Sequence, residues 1–169
     1  GKNTNVYLAS AELSAVAAIL GRIPTVEEYQ SYARELETLA PVTAVLGNND
    51  FDEYGSRVSR FAHPVIDGVR FLVAHYPRDV QIGFNGCAGL AAGDPIPQVC
   101  VHGHTHVPEL VYGPEARPAS YVVCPGAPFR PRGGFPKCTG RMLVDDGRVL
   151  GVRIASLDGQ TVFEVGEGA

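Results

Sequence analysis

Val99-Cys100-Val101-His102-Gly103-His104-Thr105-His106 is the stretch on which the reading of this chain turns. Three of the five histidines fall in its last five residues, directly after a short apolar run of strand type. Loops at strand ends are where open α/β folds collect their ligands. Neutral imidazole is a common ligand of divalent metals. Histidines two apart in a turn can address two adjacent ions, which a helical pair four apart normally does not.

Two more strand ends repeat the pattern. Phe71-Leu72-Val73-Ala74 runs into His75, and Val42 to Leu46 runs into Gly47-Asn48-Asn49-Asp50. Three apolar strands thus each end in a polar group fit for a metal. Further strands are expected at Tyr121-Val122-Val123 and in a hairpin from Val65 to Val73 around Asp67-Gly68, with two more hairpin turns at Asp146-Gly147 and Asp158-Gly159. Short helices are expected over 53–62 and 78–92.

Upstream of Pro41 the pattern is helical. Ser10 is placed to cap a stripe of Leu13, Val16, Ala17 and Leu20 that stops at Gly21. Thr25-Val26-Glu27-Glu28 is a capping box, opening a second helix to about Leu39. No strand is expected before Pro41. The division is therefore a helical segment over 1–40 and a domain over 41–169.

The remaining composition sets limits. At 169 residues, 45% hydrophobic and 19% charged, the chain is globular. Its formal charge of −4 argues against a general nucleic-acid clamp or a membrane-surface binder. No apolar run reaches the length of a membrane span. Glu12 interrupts the first apolar stretch, so no signal peptide is expected. Cys87, Cys100, Cys124 and Cys138 form no Cys-x-x-Cys pair and read as reduced thiols of a cytoplasmic protein. A chain opening Gly1-Lys2 is expected to be cut, tagged, truncated or a fragment.

In order along the chain stand Gly47-Asn48-Asn49-Asp50, Ala74-His75, Gly103-His104-Thr105-His106, and Val122-Val123-Cys124-Pro125-Gly126-Ala127 with Arg130-Pro131-Arg132 behind it. From about residue 36 onward this set resembles the calcineurin-like metallophosphoesterases, in particular their compact bacterial and archaeal phosphodiesterases, relatives of the small retromer subunit. The family usually has Asn-Pro-Gly-Ser where this chain has Cys124-Pro125-Gly126-Ala127. The resemblance implies an α/β fold, a two-sheet sandwich with flanking helices. It implies that Asn48, His75 and His104 hold one divalent metal, that His106 holds another, and that Asp50 supports the asparagine or the substrate. Two such ions in the family bind phosphate oxygens and activate a water for in-line attack. Manganese is the first choice, with zinc, nickel or iron as alternatives. Asn49 stands where many members carry a histidine acid, and an amide delivers no proton at neutral pH. That favours diesters with good leaving groups.

The family's two opening motifs, Asp-x-His and Gly-Asp, are missing. Residues 1–49 contain neither Asp nor His. Asp94 sits in a Gly-Asp pair but between the other motifs, and reads as a loop residue. One ion or fewer is therefore expected, and a sandwich without its first two strands. Residues of about 4–33, from Asn5-Val6-Tyr7-Leu8 through Pro24-Thr25-Val26-Glu27-Glu28-Tyr29, instead resemble the C-terminal end of bacterial B-type aconitate hydratases. Removing strands opens a sheet edge, which the helices or a second copy of the chain must cover. Three functions compete: a metal-dependent phosphoesterase acting on small phosphate esters, a non-catalytic scaffold of that fold, and a truncated remnant. Arg57, Arg130 and Arg132 are candidate phosphate contacts.

Overall fold

The computed structural model describes residues 41–48, 58–83 and 85–167, and the backbone alone of residues 4–8. Ten strands follow in chain order: β1 (Thr4–Leu8), β2 (Phe61–Ala62), β3 (Val65–Ile66), β4 (Val69–Ala74), β5 (Val99–Val101), β6 (Pro108–Tyr112), β7 (Tyr121–Pro125), β8 (Cys138–Asp145), β9 (Arg148–Ser156) and β10 (Thr161–Gly166). They form two sheets. One is antiparallel, in the order β1-β8-β9-β10. The other runs β2-β4-β5-β7-β6, with β3 also paired to β4. In it β4, β5 and β7 are mutually parallel.

Alternation explains the packing. Along β8 every second residue is buried, and Cys138, Met142 and Val144 meet Val152 and Ile154 of β9. From the facing sheet come Val69 and Phe71 of β4, Val99 and Val101 of β5, and Val123 of β7. These side chains fill the space between the sheets, as period-two burial requires. Leu72, Ala74 and Cys100 point the other way, into a second cluster with Val80, Leu90 and Ala119. β5 is buried on both faces, which is why it reads as an unbroken apolar run.

The expected Asp-Gly hairpins are present. Asp67 and Gly68 have φ of 47° and 80°, and Asp146 and Gly147 have 46° and 73°, the left-handed pair that a two-residue turn between twisted strands needs. The two turns also dock. The Gly147 N–H donates to the Asp67 carbonyl at 2.8 Å. A Cβ on Gly68 would lie 2.9 Å from the Gly147 nitrogen, so only glycine allows this approach. The Asp158-Gly159 turn joins β9 to β10.

Several expectations need correction. No strand is expected before Pro41, yet Thr4–Leu8 pairs with β8 along five residues. The segment expected to be helical thus opens with a strand, and its helices over 10–39 lie outside the described residues. Val42 to Leu46 forms an isolated parallel bridge, Val45 with Ser59, in place of a full strand. Over 78–92 there is a 3-10 turn at Pro77–Asp79 and two isolated bridges, Gly83 with Gly86 and Cys87 with Leu90. Glycines at 83, 86 and 89 weaken any helix there. Of 53–62, the described part ends in β2. β6 is an unanticipated strand. No helix among the described residues is long and apolar enough to cross a membrane.

Candidate functional site

Parallel strands bring their C-terminal ends to one rim. β4 ends at Ala74 beside His75, β5 ends at Val101 before the histidine loop, and β7 ends at Pro125. Main-chain bonds lock these ends together. The His102 N–H donates to Val123 (3.0 Å), and the Gly103 N–H donates to the His75 carbonyl (3.0 Å). Leu46, two residues before Asn48, donates its N–H to Ser59 at 2.9 Å.

The histidine loop then turns sharply. The Thr105 N–H reaches back to the Gly103 carbonyl at 2.7 Å, and the Val107 N–H donates to the Thr105 hydroxyl at 3.2 Å. His104 and His106 both have left-handed backbones, with φ of 64° and 60°. Such conformations cost about 1–3 kcal/mol each outside glycine and concentrate at functional sites.

Three donor atoms converge at this rim. His75 Nε2 lies 2.6 Å from Asn48 Oδ1 and 3.0 Å from His104 Nδ1, and His104 Nδ1 lies 3.2 Å from Asn48 Oδ1. Metal bonds of about 2.1 Å meeting at right-angled to tetrahedral geometry put neighbouring donors about 3.0–3.4 Å apart. Two of the three separations fall in that range and the third, 2.6 Å, is shorter, so the trio accommodates one divalent ion once Asn48 and His75 part by about half an ångström. Among the described residues no three His, Cys, Asp or Glu side chains form such a group; the third donor here is an amide oxygen. Tyr76 walls the trio, its ring 4.9 Å from that of His75 and 4.5 Å from that of His104.

The other histidines separate by role. His106 Nδ1 donates to the Arg130 carbonyl at 2.7 Å, which leaves the ring's lone pair on Nε2. The Arg132 N–H donates to the His106 carbonyl, so the 130–132 loop borders the site through its main chain. His63 bonds the Gly89 carbonyl (2.6 Å), away from the trio. Asp94 accepts from the Ala91 N–H, as a loop residue should. Asn49, Asp50 and Arg57 lie outside the described residues.

His102 turns inward and is 3% exposed. Its Nε2 lies 2.9 Å from Glu109 Oε2, and its Nδ1 lies 3.2 Å from the Gly103 carbonyl. Burial pushes this imidazole down, but hydrogen bonds with Cys124, Gly103 and Glu109 outweigh it and hold its pKa above the ordinary value. Burial likewise pushes the Cys124 thiol up, and bonds from His102, the Gly126 N–H and Thr105 bring it below its ordinary value. Glu109 and Cys124 are missed in the sequence because their role depends on β6 pairing with β7. A buried histidine directly after an apolar strand is the one signal that pointed there.

A cleft of about 310 Å³ opens beside His75, lined also by Tyr76, Arg60, Arg78 and Asp79. A sandwich carrying a histidine and asparagine cluster on its parallel-strand rim defines the class of metallophosphoesterase folds. The calcineurin-like phosphoesterase superfamily domain matches residues 10–147, and the chain belongs to that superfamily. The match starts well before residue 36, the point from which the motifs are legible.

A conserved uncharacterized protein of Streptococcus pneumoniae, described as a predicted phosphoesterase, is similar in structure over 98% of both chains, with a TM-score of 0.63 and 16% identity. The Escherichia coli phosphoesterase YfcE is similar over 96% of this chain and 98% of its own, with a TM-score of 0.60 and 18% identity. Vps29 of Entamoeba histolytica, solved in complex with zinc, is similar over 80% and 75%, with a TM-score of 0.53 and 16% identity. The sequence is also 42% identical to aconitate hydratase B of Pseudomonas aeruginosa over 67 residues, 39% of this chain, and 55% identical to that of Salmonella typhimurium over 74 residues, 44% of this chain. These stretches are longer than the span of about 4–33 that carries the resemblance in sequence. The chain spans only 8% of the length of either enzyme.

Proposed function

We propose that the chain is a metal-dependent phosphodiesterase that holds one divalent ion on Asn48 Oδ1, His75 Nε2 and His104 Nδ1. The mutual approach of those three atoms carries the reading. Membership of the calcineurin-like superfamily supports it. A bound ion supplies Lewis-acid polarisation of a phosphoryl oxygen. Manganese is the first choice on the family resemblance, and the two imidazole donors suit zinc, nickel or iron as alternatives.

The chain's own residues do the rest. Tyr76 packs against both imidazoles and holds them in register. His106, fixed by the Arg130 carbonyl, offers Nε2 as an acceptor or a ligand. Asn49 and Asp50 follow Asn48 in sequence and are assigned to the phosphoryl group, Asn49 as a donor and Asp50 as a support for Asn48 or the substrate. With an amide at position 49 the departing alcohol must leave without a proton from it, so diesters with acidic leaving groups are the substrates. All four cysteines are free, and burial, with Cys87 near, pushes the Cys100 thiol up to about 12. Free thiols agree with a cytoplasmic setting. β10 ends the antiparallel sheet and is where a second copy would add strands.

The test is metal content by mass spectrometry, with hydrolysis of bis(p-nitrophenyl) phosphate in manganese. One ion per chain is expected, and turnover at least about 100-fold lower in His104→Ala. No metal and no turnover, with His104→Ala behaving like the parent, would sink the reading. That result would favour the scaffold, which the lack of Asp and His over residues 1–49 also favours. Two ions would mean that further ligands exist.

A further inference from the structure

Among the described residues, the lining of the cleft beside His75 carries a net positive charge, in a chain whose overall formal charge is −4. Arg60 and Arg78 both line it, and among the described residues a single carboxylate stands against them. Asp79 is 5% exposed, and its two oxygens lie 3.7 Å from Arg60 Nη2 and 3.8 Å from Arg78 Nε. Among the described residues, one carboxylate between two guanidiniums leaves one positive charge over. At these distances the pairing is loose, so guanidinium donors remain for a further acceptor.

Both arginines are also held from below. The Arg78 guanidinium lies over the Tyr76 ring at 4.6 Å, and that of Arg60 over Phe61 at 5.6 Å. Tyr76 in turn packs on His75 and His104. One aromatic ring therefore separates Arg78 from the donor trio. A pre-oriented guanidinium pair is suited to a phosphate, which accepts several parallel N–H bonds.

We propose that this cleft binds a second phosphate carried on one alcohol of the phosphodiester, so that the preferred substrates are diesters bearing an additional phosphomonoester. The proposal rests on the reading of His75 and His104 as the place where the scissile phosphate sits. The scissile group then occupies the trio, and the second phosphate reaches past Tyr76 to Arg60 and Arg78.

Two chromogenic esters test this. Thymidine 5′-(p-nitrophenyl phosphate) and the same ester with a 3′-phosphate share the scissile bond and the leaving group, and differ by one phosphate. In manganese, the 3′-phosphate is expected to raise kcat/KM about 5- to 20-fold, through KM. Arg60→Gln and Arg78→Gln, made singly, are each expected to reduce that ratio at least about threefold. Each variant keeps one guanidinium on Asp79, so no buried carboxylate is left alone. A parent ratio within about twofold of unity, or a ratio unchanged in both variants, overturns the proposal.

Calorimetric binding of thymidine 3′,5′-bisphosphate and thymidine 5′-monophosphate separates the two readings. If neither ester is hydrolysed, the phosphodiesterase reading fails. An arginine-dependent preference for the bisphosphate then still supports the cleft, and equal binding refutes it. If both esters are hydrolysed at the same rate and the nucleotides bind equally, the cleft proposal alone fails.

Discussion

The two sheets divide the labour of the molecule. The sheet containing β4, β5 and β7 sends three parallel strands toward one rim, and every converging donor stands there. The antiparallel sheet returns through tight turns, so its loops are shared between both ends and none carries a histidine. Parallel topology gathers chemistry, whereas an antiparallel meander supplies a wall. The wall provides half of the cluster between the sheets, through Cys138, Met142, Val144, Val152 and Ile154. Stability and chemistry should therefore be separable by substitution.

The strongest test of that division removes a core side chain from the wall. Met142 is fully buried, and Met142→Ala should lower unfolding free energy by about 2–5 kcal/mol in denaturant titration. The metal content of the protein that remains folded should stay that of the parent. Loss of metal from the folded fraction would break the division, since it would tie the rim to the wall.

A smaller effect is expected where the sheets touch through turns. Gly68→Ala places a Cβ against the Gly147 nitrogen at a positive φ, and about 1–3 kcal/mol of stability should be lost. Gly147→Ala has more room, with its nearest neighbour 3.7 Å away, and should be milder. Equal losses at the two positions would show that backbone conformation, and not the close approach, sets the penalty.

The smallest effect lies in the β9–β10 turn and depends on pH. The Ser156 hydroxyl donates to Asp158 and holds its carboxyl below the ordinary 3.8. A depressed folded-state pKa stabilises above the unfolded value and loses that contribution as pH falls through the folded one. Thermal unfolding of the parent should therefore weaken more between about pH 5 and pH 3 than that of Asp158→Asn. Parallel curves for the two proteins would remove the turn from the acid response.

Much of this was legible because the physical demands are local. A strand buried on both faces must be apolar throughout, and Val99–Val101 and Phe71–Ala74 are. A two-residue turn demands left-handed residues, and Asp67-Gly68 and Asp146-Gly147 supply them. The donors Asn48, His75 and His104 are legible as residue types after apolar runs, though the run before Asn48 forms only an isolated bridge and the sequence does not show three atoms within 3.2 Å. What stayed hidden depends on distant neighbours. β6 opens with proline and carries Glu109, whose partner His102 is known only once β6 and β7 are paired. Arg60 and Arg78 look like ordinary surface arginines until Asp79 draws them to one cleft.

β1 carries a different lesson, about how such a chain could be assembled. Among the described residues it lies at the end of its sheet and bonds one neighbour, β8, through the main chain. An interior strand must satisfy partners on both sides, but a terminal one asks its neighbour only for carbonyl and amide groups, which every sequence but proline provides. A segment of different sequence can dock in that position without rewriting β8. The fold's margin thus tolerates exchange where its interior does not.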